Sequence, residues 1–237
     1  ADLGSLPLAG IATAMLGTVF ICTVLILIAK PVLKVGNPAF SSLFQGAIRP
    51  NTYIGLAVAA ALLGEAGLTV TALCVALVVP TVNVLSVLAC AHWGDNDRTP
   101  GAVSLLRDVL RNPLLMACVL GIGINMTGFG LPPVLGPFLE VLGRAALPIG
   151  LLAVGAGLDL SAARRAGGSV GFSTLGKLVI SPAIAAGLCL LLGLPQVELA
   201  AVVLYAGLPC SASAFVLARL MGGDAQMMAS IITVHTL

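Results

Sequence analysis

Unbroken apolar runs of about twenty residues follow one another along this chain of 237 residues. As a helix, such a run is long enough to cross the hydrocarbon core of a bilayer, whereas a membrane strand shows about ten residues of alternating polarity. Hydrophobic residues make up 59% of the sequence and charged residues only 8%, which is too few to cover a soluble domain. The sequence therefore predicts an all-α membrane protein that crosses the bilayer several times.

Loops with turn and charge signals divide the apolar runs into eight predicted helices. Their expected ranges are residues 8–29, 39–63, 68–91, 113–129, 140–159, 171–193, 197–221 and 224–237. Residues 104–111 read "SLLRDVLR", a short amphipathic run that is expected to lie along the membrane surface.

The basic residues are distributed unevenly between the two sets of loops. Loops rich in lysine and arginine face the cytoplasm, so the loops after the first, third, fifth and seventh helices are predicted to be cytoplasmic. Eight of the eleven basic residues lie in or beside these loops: Lys30, Lys34, Arg98, Arg107, Arg111, Arg164, Arg165 and Arg219. Two others, Arg49 and Lys177, fall inside predicted spans, where a charge is costly and usually functional.

An internal repeat links two distant parts of the chain. Residues 50–66, "PNTYIGLAVAAALLGEA", align without a gap with residues 209–225, "PCSASAFVLARLMGGDA". The copies are separated by an odd number of spans and therefore run in opposite directions. This indicates an inverted-topology repeat with one interrupted helix in each half, an arrangement that places a binding site near the middle of the membrane.

A repeat of five helices requires two more helices before the first one predicted here. We therefore expect a ten-helix fold, of which this chain covers about eight helices with the last one incomplete. The expected division is 1–91 for the remainder of the first repeat, with its break around Pro50, then 92–112 for a cytoplasmic loop that contains the amphipathic segment. The second repeat is expected over 113–237, with its break around Pro209.

The two breaks supply the candidate binding residues. Proline inside a helix removes a hydrogen bond and leaves backbone groups free, which is tolerated in a membrane only beside protein or a water-filled cavity. The N-terminus of a half-helix carries partial positive charge that suits a carboxylate. The candidates are Arg49, Pro50, Asn51 and Thr52 at the first break, and Pro209, Cys210, Ser211 and Ser213 at the second.

Several of these residues also have ordinary structural explanations. Asn51 and Thr52 could cap the second half of their helix, which is compatible with binding. Arg49 is either a partner for a substrate or counter-ion, or a group that satisfies carbonyls at the break. Lys177 either extends toward the membrane surface or has an interior role, stabilising the crossover or taking part in coupling. The serines could donate to freed backbone or to a ligand.

Other classes of function are not supported by the sequence. The net charge of +2 provides no basic face for a nucleic acid. The six cysteines are scattered singly and indicate no metal site. No interior nucleophile has a partnering base, and His92 and His235 stand alone, so no enzyme and no cofactor are predicted.

Five segments carry a resemblance to a known family. They read "FSSLFQGAIRPNTYIGLAVAAALLG", "VVPTVNVLSVLA", "LRNPLLMACVLGIGIN", "LGRAALPIGLLAVGAGLDL" and "GLPCSASAFVLARLMGGDAQMMASIITVHTL". In order and spacing, from about residue 38 to Leu237, they resemble the bacterial auxin efflux carrier family. Its relatives include the plant PIN-type auxin carriers and bacterial malonate and malate permeases.

The resemblance implies an inverted-repeat 10-helix transporter fold of the sodium/proton-antiporter and bile-acid-symporter type. Such a protein has a scaffold domain, a transport domain with two crossing broken helices, and elevator-type alternating access. In PIN-type members the asparagine of the Pro-Asn-Thr motif binds the substrate carboxylate, which corresponds to Asn51. Plant members have Gln-Gly-Ile-Val after the second proline, where this chain has "CSAS" from Cys210. They tend to have arginine at the position of Lys177.

The expected function is secondary transport of a small organic anion across a bacterial inner membrane. The substrate is expected to be a mono- or dicarboxylate such as malate, malonate or an auxin-like acid. A sodium-coupled symporter of the bile-acid type is the alternative, and it expects acidic or polar clusters near the crossover. The expected partners are a small carboxylate, the lipid bilayer and a second copy of the chain bound through the scaffold domain, with no nucleic acid.

Overall fold

The described part of the chain is helical throughout its regular elements. The computed structural model describes residues 6–95, 132–156 and 167–237, together with the single positions 116, 120, 121, 123, 124, 158, 160 and 161. The amphipathic segment predicted at 104–111 lies outside the described residues, as does most of the helix predicted at 113–129. The all-helical class predicted from the sequence is confirmed for the part that is described.

The helices follow the apolar runs of the sequence. Their bounds are α1 Leu8–Leu33, α2 Asn37–Ile48, α3 Thr52–Trp93, α4 Leu135–Ala156, α5 Gly168–Leu175, a π-helical turn Gly176–Ile180, α6 Ser181–Leu191, α7 Gln196–Ala206, α8 Ser213–Leu220 and α9 Ala225–Thr236. Within the described residues, three helical stretches are long and apolar enough to cross a membrane: Leu8–Leu33, Thr52–Trp93 and Gly168–Leu191.

Two predicted loops are shorter in this structure than expected. The helix end predicted at "GEAG" after residue 63 is confirmed, because α3 consists of two helices that meet at the non-helical residue Gly64. Gly64 has φ 62° and ψ −157°, a conformation that is accessible essentially to glycine alone, so one residue makes the turn without a loop. The loop expected around "LPPVLGP" is shorter than predicted, since α4 already begins at Leu135.

Helix α2 lies between the two apolar cores of the protein. One core joins α1, α2, α3, α6 and α7, and includes Tyr205 and Val78. The other joins α2 with α5, α8 and α9, and includes Met228 and Ile231. Every residue from 40 to 48 is buried, as expected for a helix that protein surrounds on all sides.

Two glycines allow close contact where the broken helices meet their neighbours. A Cβ atom at Gly46 of α2 would lie 2.8 Å from Ser173 Oγ and 2.9 Å from Ile231 Cγ2. A Cβ atom at Gly55 of α3 would lie 2.5 Å from Leu208 Cδ1. Small residues at such positions let membrane helices pack backbone to backbone. The two broken helices are thereby held against each other and against α5 and α9.

Candidate functional site

The two interrupted helices meet at their breaks. The chain between Ile48 and Thr52 runs antiparallel to the chain between Ala206 and Ser213, with a single bridge between Pro50 and Cys210. The amide of Asn51 donates to the carbonyl of Pro209 at 2.8 Å, and the amide of Ser211 donates to the carbonyl of Arg49 at 3.1 Å. Each break therefore satisfies backbone groups that the other has left without a helical partner.

A third helix supports the second break. Ser181, at the start of α6, donates through Oγ to the carbonyl of Ala206 at 3.0 Å. Ala206 is the last residue of α7, so its carbonyl is one of those left free at the end of the helix. The hydroxyl of Ser181 thus takes the place of a backbone amide inside the protein.

Asn51 caps α3 with one end of its amide and leaves the other end free. Its Oδ1 accepts from the amides of Tyr53 and Ile54 at 3.2 and 3.3 Å. The side chain is 1% exposed, and Nδ2 has no hydrogen-bond partner among the described residues. Buried polar groups in native proteins are nearly always hydrogen-bonded. The described structure therefore leaves a buried amide donor unsatisfied where the two breaks meet.

Arg49 connects the first break to the serines of the second. Its Nη2 donates to Ser213 Oγ at 2.9 Å, and the hydroxyls of Ser213 and Ser211 lie 2.9 Å apart. Arg49 is 6% exposed, yet Nε and Nη1 have no partner in the described part of the chain. No carboxylate in the described part of the chain pairs with Arg49. Two buried guanidinium donors remain available to an anion.

The predicted site residues differ in their exposure. Asn51, Arg49 and Cys210 are buried, Thr52 and Ser211 are half-buried, and Ser213 is exposed. The group formed by Arg49, Ser211 and Ser213 therefore extends from the interior to the surface beside α8.

A cavity adjoins the first break on the side of Lys177. It holds about 250 Å³ of empty space, counting its open side, and Pro50 and Lys177 both line it. Thr18 of α1 and Ser181 of α6 contribute hydroxyls to its wall. Lys177 is 2% exposed and sits in the π-helical turn between α5 and α6. The cavity is not lined by Arg49, Asn51, Ser211 or Ser213. The predicted site residues therefore form two groups, one around Arg49 and one around Lys177, on either side of the bridge between Pro50 and Cys210.

The comparison with known families gives the chain its identity. Residues 101–237 match the family described as "Membrane transport protein", which is more than half of the chain. The chain belongs to the auxin efflux carrier family. The family predicted from the five sequence segments is thus confirmed, and no curated protein matches the chain.

Membership of the auxin efflux carrier family makes this chain a multi-pass membrane transporter rather than an enzyme. The matched region contains the second break and Lys177, while the first break with Asn51 precedes it. The backbone bridge between Pro50 and Cys210 connects the matched region to the earlier part of the chain.

Four buried polar residues were not selected as site residues from the sequence: Gln45, Ser173, Ser181 and His235. Gln45 of α2 donates to Cys90 Sγ at 3.2 Å, and its Oε1 has no partner among the described residues. Ser173 lies 3.4 Å from Nε2 of His235, so that histidine is not isolated as the sequence had indicated. Ser173, Lys177 and Ser181 are spaced four residues apart, and this spacing was the available signal for a polar helix face.

Proposed function

We propose that this chain functions as a secondary active transporter for a small organic anion. The substrate is a mono- or dicarboxylate such as malate, malonate or an auxin-like acid. Asn51 and Arg49 hold a carboxylate where the two broken helices cross, and Thr52, Ser211 and Ser213 complete the polar surroundings. Pro50, Pro209 and Cys210 shape the backbone of this site.

The observation that carries this proposal is a set of buried donors that have no partner among the described residues. Nδ2 of Asn51 and both Nε and Nη1 of Arg49 are donors, and all three lie at the crossing of the breaks. Hydrogen bonds between such groups and a carboxylate are charge-assisted and therefore among the stronger ones. An anion with two acceptor oxygens would satisfy this set, whereas a cation would not.

The distribution of charge also favours an anion. Arg49 and Lys177 are buried, while every acidic residue that the structure describes is exposed or half-buried. Buried cations without a carboxylate are costly in a membrane interior. Among the described residues no carboxylate is buried, which disfavours the sodium-coupled alternative as far as it expects an acidic cluster near the crossing.

The mechanism that we propose is elevator-type alternating access in an inverted-repeat 10-helix fold. The crossing helices α2–α3 and α7–α8, with the helices packed on them, form the moving domain. The scaffold includes α4, and a homodimer forms through that scaffold. Movement of the crossing relative to the scaffold exposes the carboxylate to each side in turn.

Uptake into proteoliposomes by the full-length protein tests the site. Asn51→Asp retains an oxygen that can accept from Tyr53 and Ile54 but loses the Nδ2 donor. We expect transport of malate, malonate or indole-acetate to fall at least about tenfold, because a charge-assisted hydrogen bond is worth roughly 1.5 to 3 kcal/mol. Asn51→Ser, which keeps a capping hydroxyl, is expected to show the same loss.

The matched control is Gln196→Glu, the same amide-to-acid exchange at an exposed position at the start of α7. It should transport at the wild-type rate. Thermal unfolding in detergent separates loss of binding from loss of fold. Wild-type transport by a folded Asn51→Asp protein would remove the amide of Asn51 from the site.

A further inference from the structure

Gln45 and Arg49 form a polar pair on α2 at the first break. They are four residues apart, and the amide of Arg49 donates to the carbonyl of Gln45 at 2.9 Å, so the two residues lie one helical turn apart on the same face. Both side chains approach Cys90 of α3. Gln45 Nε2 donates to Cys90 Sγ at 3.2 Å, and the guanidinium of Arg49 interacts electrostatically with the same thiol. The pair therefore shares one face of α2 and one neighbour on α3.

This pair offers a buried acceptor beside buried donors. Gln45 is 0% exposed, and its Oε1 has no partner among the described residues. Nε and Nη1 of Arg49 have no partner there either. The contact with Cys90 occupies the amide nitrogen of Gln45 and leaves the oxygen free. The reverse orientation of the amide would leave an N–H donor unpaired one turn from a cation, which is electrostatically unfavourable.

The pair is connected to the surface through the second break. Arg49 Nη2 donates to Ser213 Oγ at 2.9 Å, and Ser213 is exposed. Gln45 lies one turn of α2 further inside, where every residue from 40 to 48 is buried. A ligand that enters beside Ser213 therefore meets the guanidinium first and the amide of Gln45 beyond it. To satisfy both, it must bring acceptor oxygens to Arg49 and one donor to Gln45.

We propose that Gln45 is a specificity-determining residue that accepts a hydrogen bond from the substrate, and that the substrate is a 2-hydroxycarboxylate. The inference rests on the proposed function, since it assigns the group next to the carboxylate that Arg49 and Asn51 hold. In a 2-hydroxycarboxylate the hydroxyl is on the carbon next to the carboxylate, so one small molecule presents the acceptors and the donor together.

The charge of the site favours a hydroxyl over an amine as this donor. An amino group on the same carbon is mostly a cation at neutral pH. It would lie close to the guanidinium of Arg49, and no carboxylate that the structure describes is buried there to compensate the second charge. A neutral hydroxyl donates to Gln45 without that repulsion.

A substrate without the hydroxyl leaves Gln45 Oε1 buried and unpaired. A site with a buried polar group rejects an analogue that lacks the matching partner, because the desolvation of that group is then not compensated. The attraction for the carboxylate itself comes from Arg49 and is common to both acids. Gln45 therefore governs the choice between two acids more than the affinity for carboxylates in general.

Competition between matched acids tests the inference with the full-length protein in proteoliposomes. Malate and succinate form one pair, and lactate and propionate form the other. The members of each pair differ by a single hydroxyl next to a carboxylate. Counterflow with the two members labelled differently gives the ratio of their kcat/KM values. We expect the wild type to favour the hydroxy acid of at least one pair by about tenfold or more.

Gln45→Leu removes the acceptor, and we expect the ratio in the favoured pair to fall to about one, because the acid without the hydroxyl is no longer penalised. Gln45→Met repeats the test with an unbranched side chain of similar length. Gln196→Leu, the same exchange at the exposed start of α7, is the matched control and should keep the wild-type ratio. Thermal unfolding in detergent establishes that each variant is folded.

The ratio separates recognition of the hydroxyl from a structural role of Gln45. A structural role would lower the transport of both acids and leave their ratio unchanged, so a wild-type ratio in folded Gln45→Leu or Gln45→Met would overturn the inference. Equal transport within both pairs by the wild type would overturn it as well and would leave water as the partner of Gln45.

The failure of this inference can be distinguished from the failure of the proposed function. Transport of malonate or indole-acetate by the wild type, with no transport of malate or lactate, would overturn the inference alone. Absence of counterflow with all of these acids would instead overturn the proposed function itself.

Discussion

Asn51 uses the two ends of one amide for different purposes. The oxygen caps α3, and the nitrogen is the buried donor that we assign to a carboxylate. Because the cap fixes the rotation of the side chain, the direction of the donor is set before any ligand arrives. A preorganised donor avoids the entropy cost of ordering a side chain on binding.

Arg49→Lys is expected to raise KM about tenfold with a smaller change in kcat. The ammonium of lysine keeps the charge but cannot bond Ser213 and a carboxylate with the planar geometry of the guanidinium. When a variant loses the same binding free energy in the bound state and in the transition state, KM rises and kcat changes little. Initial rates of carboxylate uptake over a range of concentrations measure both constants.

Arg219→Lys, at an exposed position near the end of α8, is the matched control and should leave both constants unchanged. An unchanged KM in Arg49→Lys would show that the charge alone is sufficient.

The sequence was more informative about the breaks than about the residues around them. A charge, a proline and an asparagine inside an apolar run identified residues 49–52, and the internal alignment identified residues 209–213. Their role in binding stays a prediction. Gln45, Ser173 and Ser181 were not selected, because a serine or glutamine in an apolar helix is functional only if it faces the right neighbour. That orientation depends on tertiary packing.

At the scale of helices, α2 controls how closely the crossing packs on α5 and α9. Gly46→Ala would bring a Cβ atom to 2.8 Å from Ser173 Oγ and 2.9 Å from Ile231 Cγ2. Overpacking of this kind costs roughly 1 to 3 kcal/mol. We expect a lower midpoint of thermal unfolding in detergent, and a weaker contact between Ser173 and His235.

Gly187→Ala in α6 provides the comparison, because a Cβ atom there meets nothing within 4 Å. It should preserve or raise the unfolding midpoint, since alanine favours a helix by up to about 1 kcal/mol over glycine. Equal midpoints for the two variants would contradict the close contact at Gly46.

Apolar periodicity predicted the helices but overestimated the length of some connections between them. The turn signal at Gly64 was interpreted as a loop of four residues because glycine and a charged residue adjoin there. Two helices do meet at Gly64, but Glu65 is already helical and exposed. A single glycine with positive φ can turn a helix, and composition cannot distinguish that turn from a longer loop.

At the scale of the whole molecule, the distribution of basic residues predicts which ends of the helices face the cytoplasm. Cysteine labelling in membrane vesicles of known orientation can measure this. Asn37→Cys, at the exposed start of α2, should react only from the cytoplasmic side. Gln196→Cys, at the exposed start of α7, should react only from the opposite side.

The described native cysteines are buried and should give little background in this assay. A Cys118→Ser substitution removes the remaining one. Labelling of both introduced cysteines from the same side would contradict the predicted topology.

Two of the five segments that identified the family contain the helix breaks, where backbone geometry restricts the choice of residue. The sharing of α2 between two apolar cores could not be predicted. Residues 40 to 48 contain two phenylalanines but also two serines and a glutamine, and this composition does not reveal contacts on every side. Part of those contacts come from α5, α8 and α9, which lie more than 100 residues later in the chain.

The two hydrogen bonds between the breaks also set an order of events during synthesis. Asn51 is made 158 residues before Pro209, whose carbonyl accepts from its amide. At ordinary elongation rates this interval is about 10 to 30 s. Lipid offers no substitute partner for the amide in that time. The first broken helix therefore cannot settle in the hydrocarbon alone, and we expect the nascent chain to keep it beside water or the insertion machinery until the second half emerges.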